Sequence, residues 1–113
     1  MMKATVVKRI SFDAAHFLPD YPGKCKNLHG HHFVVEVGVS GEVEKDGMVI
    51  DFGQIKEFLQ PIVDKFDHHL INDTIKNPTA ENIAIYIKDR LGVDKKIEFV
   101  RVWETEDSYV EVR

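Results

Sequence analysis

The sequence predicts an α+β fold: an antiparallel four-stranded sheet with two helices on one face, in the order β-β-α-α-β-β. Three observations predict it. Segments rich in β-branched residues open and close the chain, and two segments of helical spacing occupy its middle. Turn-forming residues then separate these segments.

Residues 3–14 ("KATVVKRISFDA") are β-branched and free of Gly and Pro, which reads as a strand. Residues 16–27 ("HFLPDYPGKCKN") carry two prolines and a glycine and read as a loop. From His29 to about Glu44, Phe33, Val35, Val37 and Val39 alternate at period two, the mark of a half-buried strand. Asp46-Gly47 is a hairpin turn signal, and residues 49–51 are expected to begin the returning strand. Residues 53–66 place Ile55, Phe58, Leu59, Ile62, Val63 and Phe66 at helical spacing, with Pro61 expected to bend or divide the helix. Residues 77–92 form a second helix, capped by Asn77 or Thr79 and closed by Gly92. Its buried stripe is Ala80, Ile83, Ala84, Ile87 and Leu91. Residues 95–104 and 108–113 complete the sheet across an acidic turn. Four strands leave two open edges, which favours edge-to-edge assembly of copies.

At 113 residues, the chain is expected to be one domain, 1–113. Its composition, 43% hydrophobic and 30% charged, is that of a soluble globular chain rather than a disordered one. A net charge of −4 argues against general nucleic-acid binding, which favours basic surfaces. No run approaches a membrane span, and the start lacks the apolar core of a signal peptide. A single cysteine permits no intrachain disulfide, and a cytoplasmic location is expected.

The chemistry concentrates in "CKNLHGHH", residues 25–32. His29 and His31 are two apart at a strand's start, so both side chains leave from one face. His16 shares that parity with Phe12 and Ala14 at the end of the first strand and is the natural third ligand. Three neutral imidazoles would hold a zinc ion with one open position. His32 is expected to point away, packing or facing solvent. Spacing leaves Cys25 open between a fourth ligand, an activated base or nucleophile, and a small apolar filler. Asp67 beside His68 could orient and polarise an imidazole for proton transfer, provided the helix ends there. The plain alternative is a helix end with solvated histidines. Glu104 ends a strand, where a carboxylate could accept paired hydrogen bonds from the N–H edge of a heterocycle. A solvated carboxylate is its plain alternative. H-x-H followed by Glu36 also evokes a cupin-type metal site, but Glu36 has the wrong strand parity and the helices do not suit an all-β barrel.

In order along the chain, "FDAAHFLP", "CKNLHGHHF", "GMVIDFGQIK", "FDHHLIND", "NPTAEN" and "WET" resemble the 6-pyruvoyl-tetrahydropterin synthase / 6-carboxy-tetrahydropterin synthase family. The resemblance implies the tunnelling fold, with subunits forming trimeric barrels that stack into hexamers and active sites between subunits. It implies zinc on His16, His29 and His31, Cys25 as catalytic base, Asp67 and His68 as its proton-relay partners, and Glu104 with Thr105 as the pterin anchor. The implied substrate is 7,8-dihydroneopterin triphosphate, with Lys24 or Lys26 as candidates for its phosphate charge. Only three residues, "KNL", separate Cys25 from H-G-H. That short spacing resembles the enzymes making 6-carboxy-5,6,7,8-tetrahydropterin with loss of acetaldehyde and triphosphate, in deazaguanine (queuosine-type) biosynthesis. The alternatives are the pyruvoyl-forming reaction, in which triphosphate is eliminated without side-chain cleavage, and a metal-binding hexameric scaffold without activity.

Overall fold

A computed structural model describes residues 2–113. The strands are β1 (Lys3–His16), β2 (His29–Glu42), β3 (Lys96–Thr105) and β4 (Ser108–Val112), and the helices are α1 (Phe52–Asp64) and α2 (Ala80–Arg90). The sheet order is β1-β2-β3-β4, every neighbouring pair antiparallel. No helix of the described residues is long and apolar enough to cross a membrane.

The β1–β2 register runs unbroken from Lys3↔Glu42 to His16↔His29, pairing Phe12 with Phe33 and Ala14 with His31 on the way. That continuity fixes which residues share a face, because a one-residue slip would turn every side chain over. The inward face carries Phe33, Val35, Val37 and Val39, all fully buried, with Val100 and Val102 from β3. Leu59, Ile55 and Val63 of α1 and Ile83, Ala84 and Ile87 of α2 complete this core. Phe12 and Phe33 stack with ring centroids 5.1 Å apart, just below the histidine end of the sheet.

Several local expectations change. Residues 49–51 form no strand: Asp51 is the N-cap of α1, its carboxylate accepting the Gly53 N–H at 2.6 Å. Gln54 reaches back to the Asp51 N–H at 3.4 Å, so the Asp51/Gln54 spacing is a capping box. Pro61 neither breaks nor divides α1. The carbonyl it leaves without a helical donor belongs to exposed Glu57, where water can serve it. Phe58, expected inside, is 43% exposed and lies against Gly92.

The second helix is shorter than 77–92. Thr79 is its cap, its hydroxyl accepting the Asn82 N–H at 3.0 Å, so residues 77–79 stay outside the helix. The chain also leaves the helix at Leu91, where the backbone is extended.

The outer face of the sheet is charged. Arg9, Glu36, Arg101 and Glu111 sit side by side, one per strand, by direct register. Burial pushes the Glu36 carboxyl up, but hydrogen bonds from Trp103 (2.6 Å) and Arg9 (3.0 Å) outweigh it and hold it below the usual range. The parity that put Glu36 away from the histidines is therefore borne out.

Candidate active site

The three predicted metal histidines meet at one end of the sheet. His16 ends β1, and His29 and His31 begin β2 on the same inward face. Their available ligand atoms all lie within 4.8 Å of one another. Ring centroids are 4.6 Å apart for His16–His29, 4.8 Å for His29–His31 and 5.2 Å for His16–His31.

Two of the rings are fixed by backbone carbonyls. His16 Nδ1 lies 2.8 Å from the Pro78 carbonyl, and His29 Nδ1 lies 2.7 Å from the Asn27 carbonyl. A carbonyl only accepts, so each Nδ1 carries the proton and each Nε2 keeps its lone pair. Because Thr79, not Asn77, caps α2, the Pro78 carbonyl lies outside the helix and is free for His16. A second clamp follows His16: Asn72 accepts the Phe17 N–H at 3.0 Å and donates to the Phe17 carbonyl at 2.9 Å.

His16 is 1% exposed, and its Nε2 has no hydrogen-bond partner among the described residues. A buried polar atom without a partner costs about 1–3 kcal/mol unless something binds it. Burial pushes the pKa of His16 and of His31 down, against the opposing field of Glu104 on both rings. Both are thereby held in the neutral form that coordinates. An orphaned, buried lone pair facing two more imidazoles fits a divalent metal ion.

Cys25 sits in a short 3-10 turn, Lys24–Lys26, and is half-buried. It is absent from the ligand group that joins the three histidines. Cys25 lines a groove with Leu18, Thr79, Glu104, Thr105 and Tyr109. Glu104 and Thr105 end β3 and also line a groove of about 420 Å³ with Arg9, His32 and Trp103. Cysteine, glutamate and threonine are thus brought together, with the Glu104 field reaching His16 and His31.

Asp67 and His68 lie just past the end of α1, as their pairing requires. His68 is in the left-handed region (φ 58°), and its Nε2 is 3.8 Å from Asp67 Oδ1. The open edge of β1 fastens both: the Asp13 N–H donates to Asp67 Oδ1 at 3.0 Å, and the His68 N–H donates to the Asp13 carbonyl at 2.7 Å. His68 lines a different groove, with His31, His32 and Asp13. Within one chain, Cys25 and the Asp67–His68 pair do not share a groove. His32 faces outward as expected, but it is not idle: its Nδ1 meets Asp13 Oδ1 at 2.8 Å. The Pro78 and Asn27 carbonyls and the Asp13–His32 pair were not foreseen. Only the Asp13↔His32 register, readable once the strand pairing is known, signals the last.

A four-stranded antiparallel sheet thus carries three convergent histidines at one end. Residues 5–113 match the family model described as 6-pyruvoyl tetrahydropterin synthase, and the chain belongs to that family. A Pyrococcus furiosus protein named dihydroneopterin monophosphate aldolase is 40% identical over 115 residues, covering 98% of each chain. A Rickettsia typhi protein named 6-carboxy-5,6,7,8-tetrahydropterin synthase is 38% identical, covering 99% of this chain and 100% of its own. Relatives from Haemophilus influenzae and Synechocystis carry that same name. The solved 6-pyruvoyl tetrahydropterin synthase of Caenorhabditis elegans superposes with a TM-score of 0.88 at 28% identity, covering 100% of this chain and 96% of its own. The fold is therefore the tunnelling fold that the resemblance implied.

Proposed function

We propose that this chain is a zinc-dependent lyase that converts 7,8-dihydroneopterin triphosphate to 6-carboxy-5,6,7,8-tetrahydropterin, releasing acetaldehyde and triphosphate. The observation that carries the reading is the orphaned Nε2 of His16, aimed at two further histidines beside a groove that holds Cys25 and Glu104. The names of the Rickettsia, Haemophilus and Synechocystis relatives support the product.

His16, His29 and His31 would hold the zinc, which would supply Lewis acidity toward the hydroxyl oxygens of the substrate side chain. Glu104 accepts hydrogen bonds from the N–H edge of the pterin, with Thr105 beside it, and so sets which side-chain carbon faces Cys25. The Cys25 thiolate takes a proton from the side chain, and His68, oriented by Asp67, moves a second. Lys24 and Lys26 offer exposed charge for the departing triphosphate. Since Cys25 and His68 line separate grooves, the complete site requires a second copy of the chain. The trimer and its stacked hexamer provide one.

A second reading rests on length. The Pyrococcus aldolase aligns over 115 residues that cover 98% of each chain, whereas the Rickettsia alignment spans 140 residues against the 113 here. By size this chain matches the aldolase, in which case dihydroneopterin monophosphate is the substrate and the same residues break a side-chain carbon–carbon bond.

Zinc-loaded protein is offered the triphosphate and the monophosphate separately, and products are identified by mass spectrometry with trapping of released aldehyde. The main reading expects 6-carboxy-5,6,7,8-tetrahydropterin and acetaldehyde from the triphosphate. Cleavage of the monophosphate alone moves the assignment to the aldolase. An intact three-carbon side chain after triphosphate loss makes it a pyruvoyl-forming enzyme, and turnover of neither substrate leaves the scaffold.

A further inference from the structure

The outer face of the sheet carries a row of charges that runs from one open edge to the other. Arg9 pairs in register with Glu36, Glu36 with Arg101, and Arg101 with Glu111. Ionic contacts follow the row at 3.0 Å, 4.0 Å and 2.7 Å. The signs alternate, and the two ends differ: a cation on edge strand β1, an anion on edge strand β4. A row of this kind repeats without a like-charge junction only if β4 of one copy is laid against β1 of the next. The strand directions allow it, since three antiparallel steps leave β4 antiparallel to β1.

We propose that this row fixes the register of the seam between copies, with Arg9 opposite the partner subunit's Glu111. This rests on the multi-copy reading above and adds the residues that set its alignment.

The free length of the β1 edge supports the same register independently. From Asp13 onward that edge is already occupied: Asp13 bonds Asp67 and His68, the Ala15 N–H donates to the His69 carbonyl at 3.1 Å, and Ala15 bridges Leu70. Pairing with a second copy must therefore stop at Phe12. With Arg9 opposite the partner's Glu111, Phe12 falls opposite the partner's Ser108, the first residue of β4. All five residues of β4, Ser108–Val112, then lie on Lys8–Phe12. A slip by two toward Asp13 drives β4 into the occupied stretch, and a slip by two the other way sets Arg9 against the partner's Tyr109 and breaks the alternation.

Asp13 exposes its N–H and C=O at the edge, and residues of an antiparallel strand alternate in this respect, so Arg9 and Ser11 do the same. Arg9 uses Nε and Nη2 on Glu36, leaving Nη1 for the incoming carboxylate. Glu111 holds Arg101 and its own Arg113 at 2.7 Å and 2.6 Å, and a carboxylate offers about four lone-pair sites. On the inward face the register sets Ile10 beside the partner's Val110, continuing the core across the seam. It also brings the partner's turn at residues 104–107 up to Asp13, which holds Asp67 and His68. The pterin anchor of one copy thus meets the proton-relay pair of the next.

The test is disulfide trapping in a Cys25→Ser background. Directly opposed residues on antiparallel strands lie about 4.5–5.5 Å apart at Cα, within disulfide range, and a two-residue slip takes them beyond about 7 Å. Arg9→Cys with Glu111→Cys is expected to give a covalent multi-chain species on a non-reducing gel, after mild oxidation. Arg9→Cys with Tyr109→Cys, and Val7→Cys with Glu111→Cys, are expected to stay as single chains. Zinc content of about one per chain, measured on each variant, reports that it is folded. Trapping by either slipped pair, or a folded 9/111 variant that stays a single chain, overturns the register. The turnover assay on the unmodified protein is separate, so the reaction and the seam can fail independently.

Discussion

Three carbonyl or carboxylate contacts decide how the site's histidines behave: Pro78 on His16, Asn27 on His29 and Asp13 on His32. The first two assign the protonated nitrogen and leave the other for a metal. Burial also lowers the pKa of His16 and His31 from the ordinary 6.5. The sign of the pH dependence follows. Between the lowered folded value and about 6.5 the unfolded chain binds more protons than the folded one, so stability is lost as pH falls through that window. Glu36, held below 4.5 by Trp103 and Arg9, adds a loss in the same direction at lower pH. The midpoint of thermal unfolding of metal-free protein is therefore expected to drop steadily as pH is lowered from about 7.5 to about 5.5. An unchanged midpoint would mean that these histidines are not held neutral by the fold. Strand parity alone picked out His16, His29 and His31, because period two places side chains without any knowledge of partners. It could not reach the carbonyls, which depend on where the segment before α2 and the turn before β2 come to lie.

The elements that were read correctly are those where one signal dominates. Alternating Phe33, Val35, Val37 and Val39 and the apolar stripe of α2 leave no competing fold, and all of these residues are buried. Boundaries went astray where two signals competed. Residues 49–51 offered β-branched character, but Asp51 with Gln54 made a capping box, and the cap won. Asn77 and Thr79 both offered a cap for the second helix, yet Thr79 supplied it and left Pro78 outside. Leu59 of α1 is fully buried against the sheet face that leads to the histidines. Leu59→Ala is expected to lower unfolding free energy by about 2–5 kcal/mol in a denaturant titration. Phe58→Ala, at a 43% exposed position, should cost well under half of that. Equal costs would contradict the assignment of the buried face.

At the level of the whole molecule, one chain carries all the proposed residues but not one site. Cys25, Glu104 and Thr105 line one groove, and His68 another. This separation could not be read from spacing, which orders residues along the chain but does not say which edge is left open. It predicts complementation. Cys25→Ala and His68→Ala should each lower turnover by about 10²–10⁴-fold on their own. Refolded together, they should recover roughly a quarter of the wild-type rate, since random assembly joins a sound Cys25 to a sound His68 at about that fraction of sites. Activity that stays at the level of the separate variants would place both residues in one subunit's site. Everything above depends on how residues 16–31 divide their work: three histidines for the metal, and a cysteine free to act as a base. Zinc content per chain after dialysis of Cys25→Ala and His16→Ala tests that division most directly. The account predicts about one zinc per chain in Cys25→Ala, as in the wild type, and none in His16→Ala. Loss of zinc from Cys25→Ala would make Cys25 a ligand and contradict it.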